Sequence, residues 1–211
     1  MSDPTTMHAI AQLVPHGARV LDLGCGDGAM LDHLQRHRGC TGYGVEIADA
    51  NVLACVQRGV NVIQLNLDEG LAMFDDASFD VVLQLDTLQH LRNAEVMLRE
   101  TVRVGRMGIV AFPNFAHWPN RLSVLRGRMP VTKRLPYQWY DTPNIRVGTH
   151  ADLALLAERN GLRVVDSFGI QDGATVRFAP NLLAGYLGVP TVTLKPLVGF
   201  NLAGDSLRRF H

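Results

Sequence analysis

Short apolar runs alternate along the chain with stretches whose apolar residues recur at helical spacing. Residues 7–14 (MHAIAQLV) have that spacing and stop at Pro15, which cannot continue a helix. Arg19–Leu23 is a short apolar run ending in Asp22 and Leu23, and it reads as a buried strand. A glycine-rich turn follows. A helix is then predicted over residues 29–37, with Met30, Leu31 and Leu34 on one face. Thr41–Glu46 (TGYGVE) reads as the second strand, and a helix follows over Asp49–Arg58, with Gly59 where a C-terminal cap belongs. Residues 61–65 form the third predicted strand and residues 80–85 the fourth. A helix over 92–104 turns Val96, Met97, Leu98, Thr101 and Val102 inward, and residues 107–112 (MGIVAF) make the fifth strand. Residues 113–148 show no regular period. Thr149-His150-Ala151-Asp152 has the pattern of a capping box, opening a helix that ends near Gly161; residues 162–169 read as a sixth strand.

Strands and helices that alternate at this spacing predict an α/β fold with a doubly wound, mostly parallel sheet. Seven strands are expected, the last an edge strand within residues 179–211, a stretch rich in Gly, Pro and Leu. No repeat or linker divides the 211 residues, so one domain is expected, with 113–148 as an irregular lid or partner-binding segment.

Composition narrows the function classes. Hydrophobic residues make up 47% and charged residues 19%, with a formal net charge of zero. A zero net charge gives no global basic field for nucleic acid, so a nucleic-acid partner is not expected. No run approaches ~20 apolar residues, and the N-terminal stretch lacks the pattern of a signal peptide, so no membrane partner and a cytoplasmic location are expected. Cys25, Cys40 and Cys55 are odd in number and lack metal-ligand spacing; free thiols and no metal site are expected.

The candidate chemistry lies at Asp22-Leu23-Gly24-Cys25-Gly26-Asp27-Gly28. In doubly wound sheets a ligand sits beyond the C-terminal strand ends, where the strand order reverses. The glycines permit a sharp turn and close backbone approach, and the next helix offers N–H groups at its start. Gly24-x-Gly26-x-x-Ala29 also satisfies a looser dinucleotide pattern, and a turn without a ligand is a third reading. Asp22 discriminates among them: a carboxylate here suits the cationic amino-acid tail of S-adenosylmethionine (SAM) and sits poorly beside a pyrophosphate. Its plainer role is a turn cap. In Gly44-Val45-Glu46-Ile47, Glu46 can accept hydrogen bonds from both ribose hydroxyls, or stand as an exposed strand-end carboxylate. Asp68 is placed either for an adenine amino group or as a loop cap. His90, just past the fourth strand, is a candidate base, or a hydrogen-bonded histidine at a helix start.

The stretches VLDLGCGDG, GYGVEI, VNVIQLNLDEGL and SFDVVLQLDTLQHL resemble, in order, the motifs of class I SAM-dependent methyltransferases. More narrowly, the chain resembles the MetW family of methionine biosynthesis proteins. Residues 54–71, 102–118 and 125–145 and the Pro-Asn-Leu-Leu at 180–183 carry that likeness, which covers about residues 10–183. The turn Val104-Gly105-Arg106-Met107-Gly108 is shorter than the Pro-Gly-Gly hairpin usual in the superfamily, and the tail beyond Leu183 departs from the family. The resemblance implies SAM or S-adenosylhomocysteine as ligand. It implies contacts with the tail from Asp22, Gly24, Gly26 and Gly28, with the ribose from Glu46 and with the adenine from Asp68, and it puts Cys25 and Ile47 among the cofactor-binding residues. Leu85 would flank the methionine moiety. It also implies association with homoserine O-acyltransferase, without naming a methyl acceptor.

Methyl transfer needs alignment of donor and acceptor, and a base only for a protonated acceptor. Two functions follow. One is a methyltransferase acting on a small-molecule acceptor. The other is a SAM-responsive accessory subunit of homoserine O-acyltransferase. For the latter, Trp118, Tyr137, Trp139 and Tyr140, with Arg121, Arg126, Arg128, Lys133 and Arg134, supply residue types common at interface hot spots.

Overall fold

The computed structural model describes residues 4–132, 135–166, 168–171, 174–177 and 192–196. Its elements run α1 (Pro4–Ala11), β1 (Arg19–Leu23), α2 (Ala29–Arg38), β2 (Thr41–Glu46), α3 (Asp49–Arg58), β3 (Val62–Gln64), β4 (Val81–Leu85), α4 (Ala94–Val104) and β5 (Gly108–Ala111). Then come α5 (Trp118–Leu125), α6 (His150–Arg159), β6 (Leu162–Val164), β7 (Gly169–Gln171), β8 (Ala174–Val176) and β9 (Val192–Pro196). One sheet has the order β3-β2-β1-β4-β5-β9-β6, and β7 pairs with β8 in a separate hairpin. Parallel pairing joins β3, β2, β1, β4 and β5, so five of the sheet's seven strands are parallel. β9 runs antiparallel to both β5 and β6.

Period-two burial builds the two faces of this sheet. Val20, Val81, Leu83 and Ile109 pack with Ile10 of α1, Leu31 and Leu34 of α2 and Cys55 of α3. Their sequence neighbours Leu21, Leu23, Val82 and Val110 pack on the other face, with Leu98 and Val102 of α4 and Leu153 and Ala157 of α6. Every residue of β4 is buried, as a central parallel strand covered on both faces requires. The order reverses between β1 and β4. There the first crossover runs one way to β2 and the later one the other way to β5, leaving a crevice at the strand C-termini.

Several expectations are corrected. Val96 points outward at 51% exposed, while Met97, Leu98, Thr101 and Val102 are buried as expected. The sixth strand stops at Val164 rather than Gly169, and Gly169–Gln171 belongs to the hairpin. Segment 113–148 is not wholly irregular, since it contains α5. The strand expected at the sheet edge, β9, lies inside the sheet, where its antiparallel course bridges β5 and β6. The rest of 179–211, and Lys133 and Arg134, lie outside the described residues. The capping box is present: Thr149 Oγ1 accepts from Asp152 N at 3.1 Å, and an Asp152 carboxylate oxygen accepts from Thr149 N at 3.0 Å. No helix among the described residues is long and apolar enough to cross a membrane.

Candidate functional site

The glycine turn after β1 is bent by left-handed glycines: Gly24, Gly26 and Gly28 have φ of 74°, 58° and 77°. At Gly24 a side chain is doubly disfavoured, because a Cβ there would lie 2.5 Å from Thr87 Oγ1. Thr87 is itself held, its Oγ1 donating to Leu23 O at 2.7 Å. The turns after β1 and β4 are thus pressed together at the switch point.

The backbone N–H groups of this turn are largely spent within the protein. Gly24 N and Cys25 N donate to Val45 O at 2.8 and 3.0 Å, and Gly28 N donates to Cys25 O. Gly26 N donates to Glu46 Oε2 at 2.9 Å, and Ala29 N to Asp27 Oδ1 at 3.2 Å. A dinucleotide pyrophosphate needs such N–H groups facing it, so their internal pairing argues against that ligand.

Glu46 ends β2 at 9% exposed. Besides Gly26 N, its carboxylate accepts from Ile47 N at 2.8 Å and Ala48 N at 2.9 Å, both on Oε1. A carboxylate has about four acceptor sites. Three are filled, and one acceptor position, on Oε2, stays open to a further donor. Asp22 is 2% exposed, and its Oδ1 is buried without a hydrogen-bond partner. Burial, reinforced by the negative charge of Glu46, raises its pKa from 3.8 to about 7.

A cavity of about 480 Å³ opens at the ends of β1 to β4. Gly24, Glu46, Ile47, Asp68 and His90 line it, five of the residues expected from sequence. Asp22, Cys25, Gly26, Gly28 and Leu85 do not line it. Leu85 and Cys25 are packed in the core, where Cys25 Sγ lies 3.8 Å from Cys55 Sγ. The three cysteines are free and buried.

The cavity wall also includes Asn51, Asp86 and Thr87, which the sequence reasoning missed. An acidic residue directly after the fourth strand was the available signal for Asp86. It has φ 56°, a left-handed conformation uncommon for a residue with a side chain. Asp68 is exposed and its Oδ1 accepts from Arg92 N at 2.9 Å, so it also fastens the turn after β4. His90 Nδ1 lies 3.1 Å from Pro143 O. A carbonyl only accepts, so Nδ1 is the donor in this contact.

Segment 113–148 folds back onto the same turn. Ile145 N and Arg146 N both donate to Gln89 O at 3.0 Å, and Arg146 Nη2 donates to Arg92 O at 2.6 Å. Its aromatic residues do not fill a core of their own: Trp118, Tyr137, Trp139 and Tyr140 are 53%, 46%, 72% and 71% exposed. Among the described residues, no group of three His, Cys, Asp or Glu side chains is arranged to hold a metal ion.

The family model described as methionine biosynthesis protein MetW matches residues 5–192. The match runs past Leu183, where the sequence reading had the likeness end. A curated relative, the bifunctional methionine biosynthesis protein MetXA/MetW of Rhodopirellula baltica, is 39% identical over 163 residues, 72% of this chain and 26% of that protein. A ubiquinone biosynthesis O-methyltransferase of Maricaulis maris is 33% identical over 97 residues, 44% of this chain and 38% of that protein. The chain thus spans well under half the length of these relatives. Among solved structures, a chain of the complex between the Haloferax volcanii Trm112 methyltransferase activator and the putative methyltransferase aligns with a TM-score of 0.66 at 22% identity. That alignment covers 91% of this chain and 89% of the other. A SAM-dependent methyltransferase of Thermotoga maritima aligns with a TM-score of 0.61 at 19% identity, covering 90% and 86%. Both likenesses establish the Rossmann-like α/β methyltransferase fold.

Proposed function

The chain belongs to the MetW family of methionine biosynthesis proteins, and from that premise we propose that it binds SAM or S-adenosylhomocysteine in the strand-end cavity and supports homoserine O-acyltransferase as an accessory subunit. The observation that carries the ligand is the strand-end cavity walled by the carboxylates of Glu46, Asp68 and Asp86; Asp22, two residues before the cavity-lining Gly24, adds a buried carboxyl oxygen with no partner. A buried orphan acceptor costs about 1–3 kcal/mol, and a cation nearby offsets it. The residues fit SAM in three further respects. The cavity volume is in the range of small-molecule sites. Glu46 Oε2 has one acceptor position left for a ribose hydroxyl. Exposed Ile47 offers an apolar surface to a flat ring. Asp68, on the same wall, is the candidate for the adenine amino group.

When bound, SAM supplies an electrophilic methyl group on a sulfonium. The chain's own contribution is to hold the ligand through Glu46 and the glycine turn, and to set the turn after β4 through Thr87, Asp68 and Arg146. The partner assignment rests on the family resemblance, and on a relative whose name joins MetXA and MetW in one bifunctional protein. Segment 113–148 is the proposed partner face. It presents Trp139 and Tyr140 edge to face at 5.6 Å, with Arg121, Arg126 and Arg128 exposed nearby in sequence.

Methyl transfer to a small acceptor by this chain itself is favoured by one observation: His90 lines the cavity, its ring oriented by the contact of Nδ1 with Pro143 O. The two functions separate when purified chain and homoserine O-acyltransferase are mixed, with and without SAM. The accessory function predicts a complex and a higher acyl-transfer rate. If no complex forms and the rate does not change, the small-molecule methyltransferase takes its place.

A further inference from the structure

The strand-end cavity carries charge of one sign. Its wall holds the carboxylates of Glu46, Asp68 and Asp86, and among the described residues no Lys or Arg lines it. Glu46 accepts from the backbone N–H groups of Gly26, Ile47 and Ala48, and Asp68 from that of Arg92. Such bonds occupy oxygens but leave the net charge in place. Neither Glu46 nor Asp68 is in an ion pair among the described residues.

Sheet topology spreads these charges around the glycine turn. Glu46 is the last residue of β2 and Asp86 follows directly after β4, with β1 and its turn between them. Their strands lie two spacings apart, roughly 10 Å. Asp86 is fixed in place. Its N–H donates to Ala111 O at 2.8 Å, its φ of 56° is left-handed, and its neighbour Thr87 is tied through Oγ1 to Leu23 O.

We propose that Asp86, set against Glu46 across the glycine turn, makes this site select for the positive charge of the SAM sulfonium, so that it holds SAM more tightly than S-adenosylhomocysteine. The inference rests on the proposed seating of SAM in this cavity, with its ribose on Glu46. The sulfonium lies between the ribose and the amino-acid tail, so a molecule running from Glu46 across the glycine turn carries it toward Asp86. SAM and S-adenosylhomocysteine share the adenosine and the zwitterionic tail, and those contributions cancel in the comparison. What remains is one methyl group and one positive charge. A cleft lined by a single sign of charge, with protein walls of low dielectric, favours the cation. In an accessory subunit such a site reports SAM against a background of its demethylated form. In a methyltransferase it releases that form.

Sinefungin separates the charge from the methyl group, because it carries an ammonium in place of the methylated sulfonium. The test is calorimetry with SAM, sinefungin and S-adenosylhomocysteine at pH 8 and low salt, on the unaltered protein and on Asp86→Asn. Asn is close in shape to Asp and tolerates the left-handed backbone, and the melting temperature checks folding. Both cations are expected to bind about tenfold or more tightly than S-adenosylhomocysteine in the unaltered protein. Asp86→Asn is expected to cut that ratio by about threefold or more while changing S-adenosylhomocysteine affinity little. The inference alone is overturned, and the SAM site kept, if S-adenosylhomocysteine binds as tightly as either cation or if the ratio is unchanged in Asp86→Asn. If none of the three binds, the SAM site is wrong and the inference falls with it. If Asp86→Asn does not fold, Asp86→Gly, which suits a left-handed φ, serves for the same comparison.

Discussion

Asp22 is an acid at the end of β1 with almost no contact with water, and the negative charge of Glu46 adds to the effect of burial. The folded chain holds this proton up to about pH 7, whereas an unfolded chain releases it near the ordinary value of 3.8. Between those values the folded state binds more protons, so the contribution of Asp22 to stability falls as pH rises through that window. A cationic ligand reverses the preference by favouring the ionised form. Affinity for SAM should therefore drop as pH falls below about 7, approaching tenfold per pH unit, with proton release on binding. Titrations in buffers of different ionisation enthalpy check this, and Asp22→Asn should flatten the profile. Glu46 carries a different lesson. Its type and place were legible as a strand-end acid, but not that three backbone N–H groups already use its oxygens. Glu46→Ala should lower the melting temperature by several degrees as well as weaken SAM at least tenfold, because charge-assisted bonds of about 1.5–3 kcal/mol hold the turn. A 2′- or 3′-deoxy analogue of S-adenosylhomocysteine separates the two effects. If Glu46 takes a ribose hydroxyl, one of these analogues should lose affinity in the unaltered protein and no further affinity in Glu46→Ala.

At the scale of elements, the turn after β4 ties segment 113–148 to the cavity. Arg146 spans the junction, with its backbone N–H on Gln89 O and its guanidinium on Arg92 O. Arg146→Ala removes the second contact only. Hydrogen exchange should quicken at residues 88–92 and 143–147 while the melting temperature changes little, as for an exposed contact worth about 1 kcal/mol. Unaltered exchange would mean the segment is held elsewhere. β1, β2 and β4 were legible because fully buried or alternating apolar runs stand between clear turn signals. The end of β6 was not, since Val165 continues the apolar run into Asp166 and nothing local marks where pairing stops. The position of β9 was not either. The sequence suggests an edge strand somewhere within residues 179–211 without a local signal that places it, and only the pairing of Val192–Pro196 with both β5 and β6 puts it inside the sheet. Val96 sits beside Met97 in sequence, and a one-residue step on a helix turned it from the core to solvent.

For the whole molecule, the strand order and its reversal between β1 and β4 bring together residues from four strand ends that the chain separates widely. That is why Gly24, Glu46, Asp68 and His90 could be collected from sequence, while Asn51 and Thr87 emerged only from the fold. The accessory function makes two predictions at this scale. Trp139→Ala, at a side chain 72% exposed, should weaken the complex with homoserine O-acyltransferase by about tenfold or more while leaving SAM affinity of the isolated chain unchanged. The coupling must also be reciprocal: if SAM changes the affinity for the acyltransferase by some factor, the acyltransferase must change that for SAM equally, which paired titrations measure. Both rest on the ligand, so the central claim is tested most directly by calorimetry of the purified chain with SAM, S-adenosylhomocysteine and NAD. The geometry predicts saturable binding of SAM and S-adenosylhomocysteine at one site per chain and none of NAD. Binding of NAD without SAM would contradict it.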